Sequence, residues 1–226
     1  MISLSPVIIS IKTAVWAIVI TFFLGILTAR AVVGLKNQRI KVLLDGLLTM
    51  PLVLPPTVAG FFLLSVFGRN RPVGKFFLEQ FGIKLTFSWA ATVIAAVVIS
   101  FPLMYRSARG AFEQVDPALI YAGRTLGMSE RAIFWRVLMP TAMPGVLSGG
   151  ILAFARGLGE FGATAMIAGN IAGKTRTLPL AVYSAVSASD METARFYVLI
   201  ICAISFAAVV LMNLVSTPRR KGGPKE

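Results

Sequence analysis

The residues most capable of chemistry in this 226-residue sequence are Gly173, Lys174 and Thr175. They match the end of the phosphate-binding loop that holds nucleotides in many ATPases. That loop requires a glycine, four further residues and then Gly-Lys-Ser/Thr. The residue at the required upstream position is Ala168, and Gly169 stands one place too late. We therefore predict that this segment does not bind ATP.

The other polar residues do not form a catalytic set. The sequence contains no histidine, so a Ser–His or Cys–His pair is impossible. The nine carboxylates are scattered, and the single cysteine, Cys202, lies within an apolar run, where a small buried residue is the ordinary interpretation. We therefore predict no enzyme activity, no metal site and no cofactor for this chain.

One charged pair lies inside an apolar run. Arg156 and Glu160 are four residues apart, so they share one face of a helix. Charges at membrane depth are costly and are normally paired or placed beside water. Arg156 could help an oxyanion along a pathway, or the pair could fix helix packing. We favour the ion pair, because its carboxylate would cancel much of the field that an anion would feel.

The elements that position these residues are predicted to be membrane-spanning helices. Hydrophobic residues make up 57% of the chain and charged residues 14%, whereas a soluble domain is about half apolar and about a quarter charged. A span needs about 20 apolar residues to cross about 30 Å of hydrocarbon. We predict an all-α integral membrane protein whose surface faces lipid, with a single domain over residues 1–226. Its five predicted transmembrane helices are 7–29, 42–67, 87–104, 143–168 and 194–215.

The second span is interrupted by Pro51, Pro55 and Pro56. Proline lacks a backbone donor and kinks a helix, so this span is predicted to be bent or locally broken. The bend could be the moving hinge of a gate or a static kink, since neighbouring helices can satisfy the freed carbonyls. After this span, residues 73–81 alternate apolar and charged side chains and favour a short interfacial helix.

The basic residues predict the orientation in the membrane. The net charge is +13, but the cations lie in short segments between apolar runs, which is typical of membrane-flanking loops rather than of a nucleic-acid-binding face. Segments 30–41, 105–140 and 216–226 hold 13 Lys and Arg residues, and segments 1–6, 68–86 and 169–193 hold 6. The first set is predicted to be cytoplasmic, which places the N-terminus outside and the C-terminus inside.

The segment 105–140 is predicted to fold as a helix–turn–helix. Asp116 and Pro117 are typical of a helix start, Gly127 of its end, and Ser129 of a second cap, with that second helix ending by Pro140. The segment carries more apolar side chains than a free loop would. They could form a partner interface or pack against the protein's own spans.

This segment also carries a recognisable motif. Tyr121-Ala122-Gly123, three residues, Gly127, twelve residues and then Pro140 resemble the cytoplasmic loop signature of binding-protein-dependent ABC importer permeases. In that signature, Glu-Ala-Ala precedes the glycine, so this sequence lacks the acidic residue. The resemblance implies that residues 116–140, with Phe134, couple the spans to a separate ATPase subunit.

Further motifs resemble the permease subunits of molybdate ABC transporters. They are Leu54-Pro55-Pro56-Thr57 in span two, Leu158-Gly159-Glu160-Phe161-Gly162 in span four, and Gly169-Asn170 beyond it. The resemblance implies a type I ABC importer permease fold in the cytoplasmic (inner) membrane, a homodimer, two ABC ATPase subunits that bind the ATP, and an extracytoplasmic molybdate-binding protein docking over loops 68–86 and 169–193. Sulfate, thiosulfate or tungstate transport remains an alternative, and a secondary anion carrier is a more distant one.

Overall fold

The computed structural model describes residues 3–216, and every regular element in that range is helical. The basic residues of the predicted tail 216–226 lie outside the described residues. The α-helices are Ser5–Val33 (α1), Gln38–Val53 (α2), Pro56–Phe67 (α3), Pro72–Phe81 (α4), Trp89–Glu113 (α5), Pro117–Thr125 (α6), Glu130–Ile133 (α7), Met139–Leu158 (α8), Gly162–Ala168 (α9), Leu178–Ser187 (α10) and Met191–Ser216 (α11). A π-helical turn, Phe134–Leu138, joins α7 to α8.

The number of membrane crossings agrees with the sequence. Within the described residues, four helical stretches (α1, α5, α7 through α8, and α11) are long and apolar enough to cross a membrane. The pair α2 and α3 adds a fifth span if it is counted as one, and the two helices are bent by 111°. The prediction of five spans with a broken second one is therefore confirmed.

The break in the second span has a local cause. Pro55 stands between α2 and α3 with an extended backbone (ψ 134°), and Pro56 begins α3. A residue that precedes proline is disfavoured in the helical region, so Leu54 and Pro55 both leave the helix. Pro51 lies within α2 without ending it.

Span four differs from its prediction. The expected helix 143–168 ends at Leu158, and α9 is a separate short helix. The predicted end of the preceding helix at Pro140 is also wrong, because the chain stays helical from Glu130 to Leu158. In a regular α-helix the Pro140 ring would clash with the carbonyl four residues earlier. Here the π-helical turn widens the helix, with the Met139 N–H bonded to the Phe134 carbonyl.

The third span is longer than predicted. Helix α5 continues from the expected end at residue 104 to Glu113, so the connection that we assigned to 105–140 is partly membrane helix at both ends. Residues 169–193 were predicted to form a loop, but they contain α10. The short helix expected at 73–81 is present as α4.

The helices assemble around α5. Helix α1 lies along it, with Thr13 and Thr92 hydroxyl oxygens 2.8 Å apart and Thr21 and Ser100 oxygens 3.3 Å apart. Helix α8 packs on a neighbouring face of α5. Paired hydroxyls and small residues let helices approach closely in lipid, where no hydrophobic force drives their association. The main core surrounds the fully buried Met104, Tyr105 and Val146.

Candidate functional site

The segment that resembles a coupling motif folds as its capping residues predict. The Asp116 carboxylate accepts a 2.8 Å hydrogen bond from the Ala118 N–H at the start of α6. Gly127 has φ +74° after the end of α6, a backbone conformation that glycine adopts without strain. Ser129 accepts from the Ala132 N–H and caps α7. The caps at residues 116 and 129 and the glycine turn at 127 are therefore confirmed.

An ion pair closes the turn between α6 and α7. Arg124 Nε lies 2.7 Å from Glu130 Oε1, and a second bond joins Arg124 Nη2 to Glu130 Oε2. The bond to this carboxylate raises the pKa of Arg124 above its ordinary value. The pair bridges the two short helices but, being exposed, contributes little to stability.

The apolar side chains of this segment divide into two groups. Tyr121 is 61% exposed and Trp135 63% exposed, and Leu119 and Leu126 are also exposed. Gly123 lies beneath Ile133, and Phe134 is buried. Ala122, Gly127 and Pro140 lie at the surface. We call the four exposed apolar residues the coupling patch. Packing against the protein itself is therefore confirmed for Ile133 and Phe134, and a partner interface at the exposed residues stays a prediction.

Phe134 connects the coupling segment to the spans. Its ring packs edge-to-face against Phe112 of α5 at 5.8 Å and against Trp135 at 5.0 Å. The Arg30 guanidinium carbon, near the end of α1, lies 4.1 Å from the centre of the same ring. A cation over a desolvated ring is stabilised by the ring quadrupole. Phe134 is therefore a buried contact that joins this segment to both α1 and α5.

A charged network ties α2 to α5. Arg109 binds Asp45 and also places Nε 3.0 Å from Glu113 Oε1. Lys41 Nζ lies 2.9 Å from the same Glu113 oxygen, and the Tyr105 hydroxyl donates to Asp45 at 3.0 Å. This network was not predicted, although the four-residue spacings of Lys41 and Asp45 and of Arg109 and Glu113 are a signal for it in the sequence.

The two helical breaks meet one another. Helices α3 and α9 cross at Gly60, where an added Cβ would lie 2.8 Å from the Ala163 Cα. Gly162 similarly faces Pro56, and a Cβ added at Gly162 would lie 3.0 Å from the Pro56 Cβ. At both contacts the backbones of the two helices approach closely, so α3 and α9 form one tightly packed unit. Along the chain, α3 follows the bend of span two and α9 follows the break of span four.

Arg156 and Glu160 form the ion pair at the second break. Arg156 Nη1 lies 2.9 Å from Glu160 Oε2, with the Glu160 side chain 1% exposed and that of Arg156 33% exposed. The other Glu160 oxygen accepts a 2.7 Å bond from the Ala163 N–H. Glu160 thus ends α8 with a paired charge and caps α9, which accounts for a carboxylate at this depth. Contact between Arg156 and an anion stays a prediction.

The Gly173-Lys174-Thr175 segment forms a turn. Thr175 is buried, accepts a 3.0 Å bond from the Ile171 N–H, and has its hydroxyl 3.3 Å from the Gly169 carbonyl. The Thr175 side chain is therefore occupied by its own turn.

Comparison with known proteins finds extended similarity. The family described as binding-protein-dependent transport system inner membrane component matches residues 21–220. The molybdenum transport system permease protein ModB of Escherichia coli (strain K12) is 41% identical over 210 residues, covering 93% of this chain and 90% of that protein. The ModB protein of Haemophilus influenzae is 38% identical over 215 residues, covering 94% and 91%.

Solved structures show the same fold at low identity. A chain of the MetNI methionine ABC transporter in inward-facing conformations matches with a TM-score of 0.64 and 17% identity, covering 94% of each chain. A chain of an amino acid ABC transporter crystallised with histidines matches with a TM-score of 0.65 and 19% identity, covering 92% of this chain and 90% of that one. The common architecture therefore covers 92% to 94% of this chain.

Proposed function

This chain belongs to the family of binding-protein-dependent transport system inner membrane components, and we propose that it is the permease subunit of an ATP-driven importer that carries molybdate across the cytoplasmic membrane. The observation that carries the proposal is the 41% identity to a molybdenum transport permease over 93% of the chain. Selectivity rests mainly with a binding protein that delivers the anion, because the spans carry few charges that are not already paired.

A separate ATPase supplies the energy. The coupling patch is the surface that would contact it, since exposed apolar side chains at a loop mark a partner interface. Trp135 and Tyr121 are of the types enriched at such interfaces. Phe134, beneath the patch, passes the movement of the ATPase to α1 and α5 through its contacts with Arg30 and Phe112.

The pathway lies between two copies of the chain. Helix α2 contributes no buried residue within a single subunit, and Leu43, Leu47 and Val53 are exposed on it. A second copy would cover this surface in a homodimer. The bends of spans two and four would then let the α3–α9 unit and the cytoplasmic helix halves tilt independently, which gives alternating access. Loops 68–86 and 169–193, at the other ends of the spans, would receive the binding protein.

ATP hydrolysis in reconstituted complexes tests this assignment. The chain, its ATPase and its binding protein are assembled in lipid nanodiscs, and hydrolysis is measured with and without molybdate-loaded binding protein. We expect stimulation by the loaded binding protein. Tyr121→Ala is expected to weaken co-purification of the ATPase, whereas Phe76→Ala, an aromatic residue of comparable 54% exposure on α4, should retain it. Loss of the ATPase from the Phe76 variant alone would contradict the assigned sidedness.

A further inference from the structure

We propose that Arg106, together with Ser107 and Gln114, forms a binding site for a tetrahedral oxyanion at the cytoplasmic end of the pathway. The three side chains line one face of α5 near its C-terminal end. The site is distinct from the coupling patch and from the Arg156–Glu160 pair. This inference rests on the proposed function for its orientation and cargo, but the site itself follows from the cavity and its charges.

Arg106 lies where two cavities adjoin. One, of about 540 Å³, opens beside the contact of α5 with α8 and is lined by Arg106, Ser107, Gly110, Gln114, Thr141 and Pro144, among others. The other, of about 220 Å³, opens beside the contact of α5 with α2 and is lined by Arg106, Arg109, Gly110, Glu113 and Asp45. Arg106 therefore faces the space between α2 and α8, on the side of α5 that α1 leaves uncovered.

The positive charge of Arg106 is not balanced by a nearby carboxylate. Asp45 and Glu113 are the carboxylates of the smaller cavity, and Arg109 and Lys41 already bind them. Three cations against two carboxylates leave one positive charge, that of Arg106. In the described part of the chain, the Arg106 guanidinium has no carboxylate partner, and the lining of the larger cavity contains no acidic residue.

The larger cavity supplies donors suited to an oxyanion. Arg106 carries five N–H donors in a planar fork that matches oxyanion geometry, Ser107 adds a hydroxyl, and Gln114 adds an amide N–H. The described chain offers none of these side chains a hydrogen-bond partner. Thr141 does not compete for them, since its hydroxyl donates to the Val137 carbonyl at 2.7 Å.

Close packing of α5 against α8 forms the floor of the larger cavity. Gly145 of α8 faces Ala111, whose Cβ would lie 2.8 Å from a Cβ added at Gly145, and Gly149 faces Ser107. The two helices therefore touch along this line while the cleft opens beside it. An anion that leaves the membrane pathway would meet Arg106 as an unpaired cation before it reaches the cytoplasm. The same chemistry fits the phosphate group of an anionic lipid, so the experiment must separate the two sources.

Equilibrium binding of radiolabelled molybdate tests the site directly. The permease–ATPase complex is placed in zwitterionic nanodiscs without binding protein, and Arg106→Met is compared with Arg39→Met, which removes an exposed cation from the first turn of α2. We expect saturable binding that Arg106→Met weakens about tenfold or more, that Arg106→Lys partly restores, and that Arg39→Met leaves unchanged.

A second arm uses nanodiscs that contain phosphatidylglycerol and counts the lipids retained by native mass spectrometry. Lipid retention that depends on Arg106, without binding of free molybdate, would support the site with a lipid phosphate as its ligand. Equal behaviour of the two methionine variants in both arms would overturn the proposal. So would loss of the ATPase from the Arg106 variant alone, since this would place the residue at the subunit interface.

The outcome is separable from that of the proposed function. ATP-dependent import by the wild-type complex, with no Arg106-dependent anion or lipid binding, would refute only the site. Absence of import with Arg106-dependent binding intact would refute only the importer assignment.

Discussion

The crossing of α3 and α9 makes Gly60→Ala a sharp test of the packing. An added methyl would lie 2.7 Å from the Met166 Cβ and 2.8 Å from the Ala163 Cα. These distances are 0.7 and 0.6 Å inside the 3.4 Å limit of ordinary contact. The Ala163 Cα belongs to the backbone and cannot rotate away, so the helices must separate. Overpacking of this kind costs about 1–3 kcal/mol.

Gly46→Ala provides the matched control. Gly46 also lies within a helix of span two, but nothing lies within 4 Å of an added Cβ. Alanine gains about 1 kcal/mol over glycine in a helix, and this gain applies to both variants. We therefore expect Gly46→Ala to raise the unfolding temperature of the purified protein, and Gly60→Ala, whose net cost is about 0–2 kcal/mol, to leave it unchanged or lower it. An unfolding temperature of the Gly60 variant as high as that of the Gly46 variant would refute the close crossing of α3 and α9.

Three further perturbations test the charged, bent and aromatic elements. Arg156→Met leaves the Glu160 carboxylate buried without a cation, and we expect it to lower the free energy of unfolding by about 3 kcal/mol. Adding Glu160→Gln should largely restore the unfolding temperature. Loss of uptake in the stable double variant would assign Arg156 to the pathway. Pro55→Ala is expected to retain the bend of span two, and with it uptake and ATP coupling, because the following proline still keeps residue 55 extended. Weakened coupling in a folded variant would show that the bend depends on Pro55 itself. Phe134→Ala is expected to lower the free energy of unfolding by about 3–5 kcal/mol. Trp135→Ala should lower it far less, because the Trp135 ring is largely exposed. Similar unfolding temperatures for the two variants would contradict the role of the buried ring.

Local signals predicted the ends of the short helices well. Asp116, Ser129 and Gly127 each act through their own backbone neighbours, so their effect can be read from sequence without knowledge of the tertiary fold. The doubled proline of span two is similarly local, because it restricts the residue before it whatever surrounds the helix.

The ends of the longer helices were predicted less well. Pro140 predicts a helix end, but the π-helical turn that precedes it keeps the chain helical. The break after Leu158 is fixed by Glu160, whose carboxylate joins Arg156 on one helix to the α9 backbone on the next. Hydropathy alone could not reveal this break, since both sides of it are apolar and rich in small residues.

The charged network shows the same limit. Asp45 was visible as a carboxylate inside an apolar run, but its partners Arg109 and Tyr105 lie more than one helix away in sequence. Only the fold brings α2 against α5. Helix α10 was missed for a related reason, because its ten residues are too few for a span and its apolar face is explained by contact with α11.

Uptake of labelled molybdate into vesicles tests the central claim most directly. The vesicles contain this chain, its ATPase and its binding protein, and sulfate is added in excess as a competitor. We predict uptake that requires ATP and resists sulfate. Uptake abolished by sulfate would move the cargo to the sulfate class, and uptake that proceeds without the ATPase would contradict the importer assignment and favour a secondary carrier.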